Sequence, residues 1–455
     1  MFKNYSIKMV GSNSTKKNPD NDQDNLVYGL RLSSVGSALV TGNLCYEPNY
    51  IDLAMKLHYL RVVYFLDTQA IKGINPIKLK EGIFIWLNYY YESCGRFRRS
   101  EDNGKPYIKC NDCGVRFVEA ESSRTLEEWL ELMEDNASSQ RLLVADSVLA
   151  PELTFSPLVF LQITTLKCGG LALGLSWAHV LGDTFSASTY LNTLSEILNG
   201  NKPIHPPNYN KSPPKNNPNP TKSIFSEPLS LCKIGPVGDH WIVPISIEMD
   251  TFSFHVRPKQ LAQLQMKIFE NNSTPSPIQP FEMISSVIWW AIARVKNGPE
   301  TNIVTIIKKD SISPKEDDMT LRNNQKVGSI KAGFTVAEAR PEKLATLMCN
   351  NFEDERAQIA NVVEKDPGGF DCIVYGSNLT FVNWEEVGFY GFKLNGVGPR
   401  MVNCFVDGVG EKGVVLVLPS PKDDTNRDGR VVTLILPKSC MVGLKEELKK
   451  CYLIA

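Results

Sequence analysis

The chain has 455 residues, of which 42% are hydrophobic and 22% are charged. This length exceeds what one ordinary hydrophobic core serves, so we expect two domains of roughly 200 residues each. The formal net charge is -1 and no basic stripe is visible, which excludes nucleic acid as a partner and argues against electrostatic attachment to a membrane surface.

No targeting or membrane-spanning segment is apparent. The richest apolar runs, Met283–Ala293 and Gly413–Leu418, are shorter than the roughly 20 residues that a bilayer span needs. Residues 1–25 lack the apolar core of a secretory signal, so we expect a disordered tail on a cytoplasmic protein. The eleven cysteines are then expected to be reduced, and in Cys110-Asn111-Asp112-Cys113 structural thiols fit better than a metal or redox pair.

The first half predicts alternating strands and helices. Apolar spacing predicts, in chain order, a strand over Tyr28–Ser33, helices over Ile51–Asp67 and Ile83–Cys94, hairpin strands Tyr107–Cys110 and Gly114–Glu119, a helix over Thr125–Glu134, paired strands Leu158–Thr165 and Gly170–Trp177, and a helix over Asp183–Leu198. The paired strands Leu158–Thr165 and Gly170–Trp177 are apolar throughout, which is typical of strands buried on both faces.

Residues 200–225 are rich in proline and asparagine and predict a crossover linker between lobes 26–199 and 226–455. The second lobe predicts strand Phe252–Val256, helices Pro258–Glu270 and Pro280–Val295, strand Asn302–Lys308, a helical stretch Val336–Val363, strands Ser377–Val382, Gly413–Leu418 and Arg430–Leu436, and helix Ser439–Cys451. This mixture of hairpins and helices favours a mixed α/β fold over a doubly wound parallel sheet.

The segment Ser176-Trp177-Ala178-His179-Val180-Leu181-Gly182-Asp183 is the sharpest chemical feature. A histidine at a strand end is held by the rigid sheet while its ring projects into a cleft. Its ordinary pKa near 6.5 lets it accept a proton from a hydroxyl or an amine. Two structural alternatives stay open, because His179 could be a hydrogen-bonded core residue and Asp183 could serve only as the N-cap of its helix.

Longer segments resemble a known family. CGGLALGLSWAHVLGD, PFEMISSVIWWAIAR, NLTFVNW and GEKGVVLVLP occur in the order seen in the BAHD acyl-CoA acyltransferases, from about Leu30 to Tyr452. PYIKCNDCGVRFVEA and YGSNLTFVNWEEV resemble its eceriferum/glossy branch, plant proteins that support fatty-acid elongation to very long chains for cuticular wax. The resemblance implies two similar, chloramphenicol-acetyltransferase-like lobes of mixed sheet and helices, joined by a long crossover loop, with a tunnel between them.

The resemblance also implies roles for three residues. His179 matches the general base that removes the acceptor's proton as it attacks the acyl thioester. Asp183 matches a carboxylate that turns away from the substrate and fixes local structure through an ion pair. Trp384 falls where an indole N–H can stabilise the developing oxyanion, although a bulky residue packed under a loop fits it equally. Acyl-CoA would be a co-substrate, with no metal and no bound cofactor.

Several positions depart from the family pattern. Thr184 follows Asp183 where the family has glycine, and the second signature, DFGWG, is replaced by Lys393-Leu394-Asn395-Gly396-Val397-Gly398-Pro399. Loss of this aspartate is expected to affect the stability of the fold or a loop contact rather than the catalytic chemistry, because the family's second signature shapes the structure from outside the site. In KKDSISPKEDDMTLRNNQKVGS, which replaces the usual CoA-side segment, Lys308 and Lys309 remain as partners for Asp183 or a phosphate, or as solvated lysines.

Two functions follow from these features. In the first, the protein is an acyltransferase that moves a long acyl group from acyl-CoA to an alcohol or an amine. In the second, it is a non-catalytic accessory protein that modifies the chain length accepted by a membrane-bound elongase condensing enzyme at the endoplasmic reticulum. A fold does not decide between them. We expect a monomer in which the His179 ring faces the tunnel with Trp384 nearby.

Overall fold

The structure, a computed structural model, describes residues 26–42, 44–102, 104–135, 137–146, 153–203, 227–269, 278–296, 301–310, 319–366, 368–422, 428–451 and 453–454. The predicted tail 1–25 and linker residues 204–225 lie outside them. Every described helix is too short or too polar to cross a bilayer.

The described residues contain strands β1 (Val27–Val35), β2 (Cys45–Tyr46), β3 (Tyr59–Leu66), β4 (Arg96–Arg99), β5 (Pro106–Lys109), β6 (Val115–Ser122), β7 (Val159–Thr165), β8 (Leu171–Ala178), β9 (Cys232–Ile234), β10 (Met249–Val256), β11 (Ile303–Lys308), β12 (Lys326–Lys331), β13 (Glu353–Asp354), β14 (Asp371–Ile373), β15 (Leu379–Asn383), β16 (Met401–Asp407), β17 (Val414–Lys422) and β18 (Asp428–Pro437). The α-helices are α1 (Tyr50–Ala54), α2 (Pro76–Trp86), α3 (Leu126–Asp135), α4 (Thr184–Leu198), α5 (Pro258–Phe269), α6 (Pro280–Val295), α7 (Pro341–Asn350), α8 (Arg356–Lys365) and α9 (Lys438–Lys450).

The first sheet has the strand order β1-β6-β7-β8-β3-β16. Strands β7 and β8 form the predicted antiparallel hairpin, with Val159 opposite Trp177 and Thr165 opposite Leu171. Every residue of β8 is buried, as the continuous apolar run indicates. The hairpin predicted over 107–110 and 114–119 is wrong, since β5 pairs with β2 and β4 while β6 pairs with β1 and β7.

The predicted helix over Ile51–Asp67 is wrong. Helix α1 ends at Ala54, and the strand β3 follows in the middle of the first sheet. All eight residues of β3 are buried, and all but Arg61 are hydrophobic, so apolar side chains lie on both of its faces. A nearly continuous apolar run fits the period of a helix as well as that of a strand, and the sheet decides between them.

Two further elements differ from the prediction. The helix predicted over Ile83–Cys94 is the helix α2, which begins at the N-cap Asn75 and ends at Trp86, and Tyr91–Cys94 forms a separate 3-10 turn. Strand β12 lies between the predicted strand Asn302–Lys308 and the predicted helical stretch Val336–Val363, where the sequence predicts no element. Its Gly328 lies so close to the Glu353 carbonyl that a Cβ would collide with it, so the residue that lets β12 and β13 approach also makes the sequence look like a loop.

The second sheet has the strand order β10-β18-β17-β15-β11-β12-β13. Helices α5, α6, α7 and α9 cover one face, where Trp289 and Leu444 are fully buried. The opposite face contributes Val382, Leu416 and Val431 to the core of the first sheet. The two halves of the molecule therefore share a continuous apolar interface.

Strand β16 crosses from the second half of the chain into the first sheet, where it pairs antiparallel with β3. Sequence patterning did not predict this strand. The lobes 26–199 and 226–455 stay a prediction, and β16 shows that one piece of the second half completes the first sheet.

Candidate functional site

His179 lies where the first sheet meets the second half of the chain. It begins a 3-10 turn, His179–Leu181, directly after β8, which is the strand end that the sequence predicts. Its backbone N–H donates to the carbonyl of His58, 3.0 Å away, just before β3. No part of the His179 side chain is exposed. Two adjacent strands therefore fix the position of this residue.

The His179 ring is uncharged and engaged by a tyrosine. Its Nε2 lies 2.9 Å from the hydroxyl oxygen of Tyr375, a residue that is also fully buried. Burial lowers the pKa of His179 to about 4, although hydrogen bonding that involves Asn323 acts in the opposite direction. None of the described residues forms a hydrogen bond with Nδ1. The imidazole is thus in the neutral form that a general base requires.

The ring does not face the predicted tunnel, because the side chain is wholly enclosed. A small surface cavity lies elsewhere, lined by Leu53, Lys56, Pro106, Val363, Asp366, Phe370, Asp371 and Cys372. Neither His179 nor Trp384 lines it. Among the described residues, no group of histidine, cysteine, aspartate and glutamate side chains is arranged to hold a metal ion, and neither Cys110 nor Cys113 forms a disulfide.

Trp384 lies near the same tyrosine, Tyr375, as His179. The Tyr375 ring centre is 5.3 Å from that of His179 and 6.4 Å from that of Trp384. Trp384 follows β15, its backbone N–H donates to the Val417 carbonyl at 2.9 Å, and its side chain is fully buried. No described residue accepts a hydrogen bond from its indole N–H. The structure thus brings His179 and Trp384 to one tyrosine and leaves an indole donor uncommitted.

Asp183 has the structural position that the sequence predicts, with different partners. It is the N-cap of α4, and its Oδ1 accepts from the backbone N–H of Ser186 at 3.0 Å. Burial raises its pKa, and bonds from backbone amides oppose the rise. The lysines proposed as its partners lie elsewhere, since Lys309 pairs with Glu386 at 2.9 Å and Lys308 lies over the Phe352 ring, 4.0 Å from its centroid. Backbone amides, rather than these lysines, hold the carboxylate.

The segment Leu321–Asn324, here called the interlobe latch, connects the second half of the chain to this motif. The Arg322 carbonyl accepts from the Asp183 backbone N–H at 3.1 Å and from the Ser186 hydroxyl at 2.9 Å. The Asn324 backbone N–H donates to the Asp183 carboxylate at 2.8 Å. Asp183 therefore caps its own helix and binds the latch at the same time.

Asn323 of the interlobe latch contacts the catalytic candidate directly. Its side-chain amide donates to the His179 carbonyl at 2.8 Å and to Asp52 Oδ1 at 3.0 Å. Burial raises the pKa of Asp52 to about 6, and the bonds from Asn323 oppose this rise. Sequence patterning missed these contacts, because Asn323 lies in the second half of the chain, in a segment with no predicted element, and its partners Asp52 and His179 lie in the first half.

His58 is a second buried histidine that sequence reasoning missed. Its Nδ1 lies 2.9 Å from the Gly408 carbonyl, and its Nε2 accepts from the backbone N–H of Val374 at 3.1 Å. Burial lowers the pKa of His58 to about 3, and the neighbouring His179 adds to the effect. The neutral ring thus holds the segment that carries Tyr375. A histidine beside an apolar run is the only sequence signal of this role.

Comparisons with known proteins give the family. The model of the transferase family matches residues 50–316. Protein ECERIFERUM 26 of Arabidopsis thaliana is 38% identical over 431 residues, which cover 94% of this chain and 97% of that protein. Protein ECERIFERUM 2 of the same plant is 37% identical, with 93% of this chain and 98% of that protein covered. The chain belongs to the transferase family, the BAHD acyltransferases.

Solved structures confirm the BAHD architecture. Vinorine synthase superposes with a TM-score of 0.69 at 15% identity, covering 94% of this chain and 98% of that one. At this identity the likeness concerns the fold alone. The mixed α/β fold and the eceriferum branch, both expected from the sequence, are confirmed.

The BAHD second-signature segment, residues 393–399, keeps a structural role here without its aspartate. Asn395 donates through its side-chain amide to the carbonyls of Ala70 and Lys72, at 2.9 Å each. Its backbone N–H donates to Asn199 Oδ1 at 3.0 Å. The segment therefore still ties the second half of the chain to the first, and Asn395 supplies these contacts.

Proposed function

We propose that this protein handles a very-long-chain acyl group, carried as an acyl-CoA thioester, in the fatty-acid elongation that supplies cuticular wax. Family membership and the two ECERIFERUM relatives matched along nearly the whole chain support the acyl chemistry and the pathway. The observation that carries the proposal is that the neutral His179 ring and the unpaired Trp384 indole N–H both lie near Tyr375.

In the transfer mechanism, His179 is the general base. Its Nε2 takes the proton of an acceptor hydroxyl or amine as the acceptor atom attacks the thioester carbonyl, a step worth about 10²–10⁴-fold. The C–S bond then breaks, and the imidazolium returns its proton to the departing CoA thiolate. The Trp384 N–H stabilises the oxyanion that forms between these steps. Asp183 keeps the turn in place through the interlobe latch.

A second candidate function is an accessory role beside an elongase condensing enzyme at the endoplasmic reticulum surface, with the protein as a monomer. The enclosure of His179 favours it, because Nε2 is already engaged by Tyr375. Lys393 in place of the signature aspartate points the same way. In this role the fold binds the acyl chain and changes the length that the partner accepts.

Replacement of His179 by alanine separates the two candidates. The variant and the wild type are expressed with an elongase condensing enzyme in a host whose acyl chain lengths are measured, and the exposed His240→Ala serves as control. Transfer by His179 predicts that the chain-length extension collapses while the protein stays folded. Extension that survives assigns the accessory role. A wild-type protein that shifts no chain length would contradict the proposal as a whole.

A further inference from the structure

We infer that the Tyr375 side chain occupies the position of the acceptor hydroxyl at His179 and closes the site to acceptors and water. The inference rests on the proposed function, in which Nε2 of His179 is the atom that binds the acceptor. The phenolic oxygen lies 2.9 Å from this atom, within the distance at which a general base meets the hydroxyl that it deprotonates. A group of the protein itself therefore stands where a substrate group would bind.

The backbone of Tyr375 is fixed from two directions. His58 Nε2 accepts from the Val374 and Tyr375 amides, at 3.1 and 3.4 Å. The Tyr375 carbonyl accepts from the Gly410 amide at 2.8 Å. Gly376, at φ +85°, approaches Gly410 so closely that a Cβ would lie 2.5 Å from its carbonyl oxygen. A rigid turn thus directs the tyrosine at His179.

The side chain is also suited to stay there in its neutral form. Burial raises the pKa of Tyr375 far above its ordinary value, and the nearby Asp183 carboxylate adds to the effect. The ring packs edge-on against His58, with ring centres 5.0 Å apart, and is fully buried. The hydroxyl therefore keeps its proton at neutral pH and stays within hydrogen-bond distance of Nε2.

This arrangement makes Tyr375 the residue that decides acceptor access. With the ring in place, neither an alcohol nor water reaches Nε2, so the transfer mechanism proposed above requires the Tyr375 ring to move away first. Removal of the ring leaves room at Nε2, and the neutral imidazole can then meet an acceptor. The position of the Tyr375 ring thus separates retention of a bound thioester from its transfer.

The test measures access to His179 directly, by its modification with diethyl pyrocarbonate in the folded full-length protein, read by mass spectrometry. The exposed His240 is the internal reference. In the wild type we expect His240 to react and His179 to be protected. In Tyr375→Ala the rate at His179 should rise at least about tenfold, whereas in Tyr375→Phe the remaining ring should keep it protected.

Tyr64→Ala is the matched control, because Tyr64 is another fully buried tyrosine, packed against Phe389 and Phe392. It should leave His179 protected, which shows that loss of a buried ring alone does not admit the reagent. If Tyr375→Ala does not fold, Tyr375→Leu replaces it. A wild-type His179 as reactive as His240, or one still protected after either substitution, overturns the inference.

A second measurement separates this inference from the proposed function. Release of CoA from a very-long-chain saturated acyl-CoA, with a long primary alcohol present, is followed for Tyr375→Ala and for the double variant with His179→Ala. CoA release in the single variant and its loss in the double one support both closure and transfer by His179. Exposure of His179 without CoA release supports the closure and contradicts the transfer mechanism.

Discussion

Two buried histidines lie with ring centres 6.4 Å apart, and their hydrogen bonds differ. Both ring nitrogens of His58 are engaged by backbone groups, so its role is to hold the loop that carries Tyr375. His179 is bound only at Nε2, by a side chain, while Nδ1 finds no partner among the described residues. At the scale of single residues, this difference makes His58 a structural residue and leaves His179 as the candidate for chemistry.

Replacement of His58 by phenylalanine should lower the free energy of unfolding at pH 7 by about 2–3 kcal/mol, because a buried carbonyl and a buried amide lose their partners. The pKa of His58 is lowered from 6.5 to about 3 by burial. Between these two pH values the unfolded chain binds a proton at His58 and the folded chain does not. The wild type therefore loses about 1.4 kcal/mol per pH unit below 6.5, and the variant lacks this loss.

The difference in unfolding free energy between the wild type and His58→Phe should accordingly become smaller as the pH falls from 7 to about 5. Urea unfolding at both pH values measures it, with the exposed His240→Phe as the control for a general effect of the substitution. A difference in unfolding free energy that stays constant or increases at the lower pH would contradict the assignment of His58 as a buried neutral ring.

At the scale of elements, the turn between β8 and α4 is the meeting point of strand, helix and interlobe latch. Gly182 has no side chain because a Cβ there would lie 2.8 Å from the Arg322 backbone nitrogen. Its carbonyl accepts from the Trp177 indole at 2.8 Å. The helix α4 begins one residue later at its Asp183 N-cap, so the cap and the interlobe latch depend on one carboxylate.

Replacement of Asp183 by alanine should cost about 2–3 kcal/mol of unfolding free energy, since the helix loses its N-cap and a buried amide of the latch loses its acceptor. Asp183→Asn keeps a capping oxygen and should cost about 1 kcal/mol. The urea midpoints of both variants and the wild type give the comparison. Equal losses of unfolding free energy in Asp183→Ala and Asp183→Asn would show that the capping oxygen of residue 183 contributes little to stability.

At the scale of the whole molecule, β16 joins the two halves into one folding unit. Asp407 at its end pairs with Arg61 Nε at 2.8 Å and with Arg141 Nη1 at 2.7 Å, and the Arg61 side chain is fully buried. Burial acts to raise the pKa of Asp407, but the charges of Arg61 and Arg141 outweigh it and lower the pKa. The carboxylate from the second half thus neutralises a buried cation of the first sheet.

Replacement of Asp407 by alanine should destabilise the protein by about 3–5 kcal/mol, because it leaves the buried Arg61 guanidinium without its main partner. Asp146→Ala is the matched control. Asp146 also faces Arg61, at 3.7 Å, but it is 64% exposed, so its loss should cost less than about 1 kcal/mol. Both sheets should unfold in one transition, read by urea denaturation with hydrogen exchange. Separate transitions of the two sheets would contradict a shared unit.

Elements with a single clear period could be predicted from the sequence. The helices α4, α6 and α9 have apolar residues at helical spacing, the hairpin of β7 and β8 has two short apolar runs separated by Lys167-Cys168-Gly169, and all of them form as expected. Strands β3, β12 and β16 could not be predicted, because each combines apolar residues with Arg61, Gly328 or Asn403 in a pattern that fits several structures until a neighbouring strand selects one. The same limit applies to Tyr375, which no local pattern connects with His179.

The sequence by itself determined the family, the mixed α/β class, the strand end at His179 and the helix cap at Asp183, because each depends on residues close together in the chain. Only the tertiary structure decided that Tyr375 meets Nε2, that Asn323 binds the His179 carbonyl and that β16 completes the first sheet. These contacts join residues more than a hundred positions apart. Their geometry is set by how the two sheets pack, which local spacing does not encode.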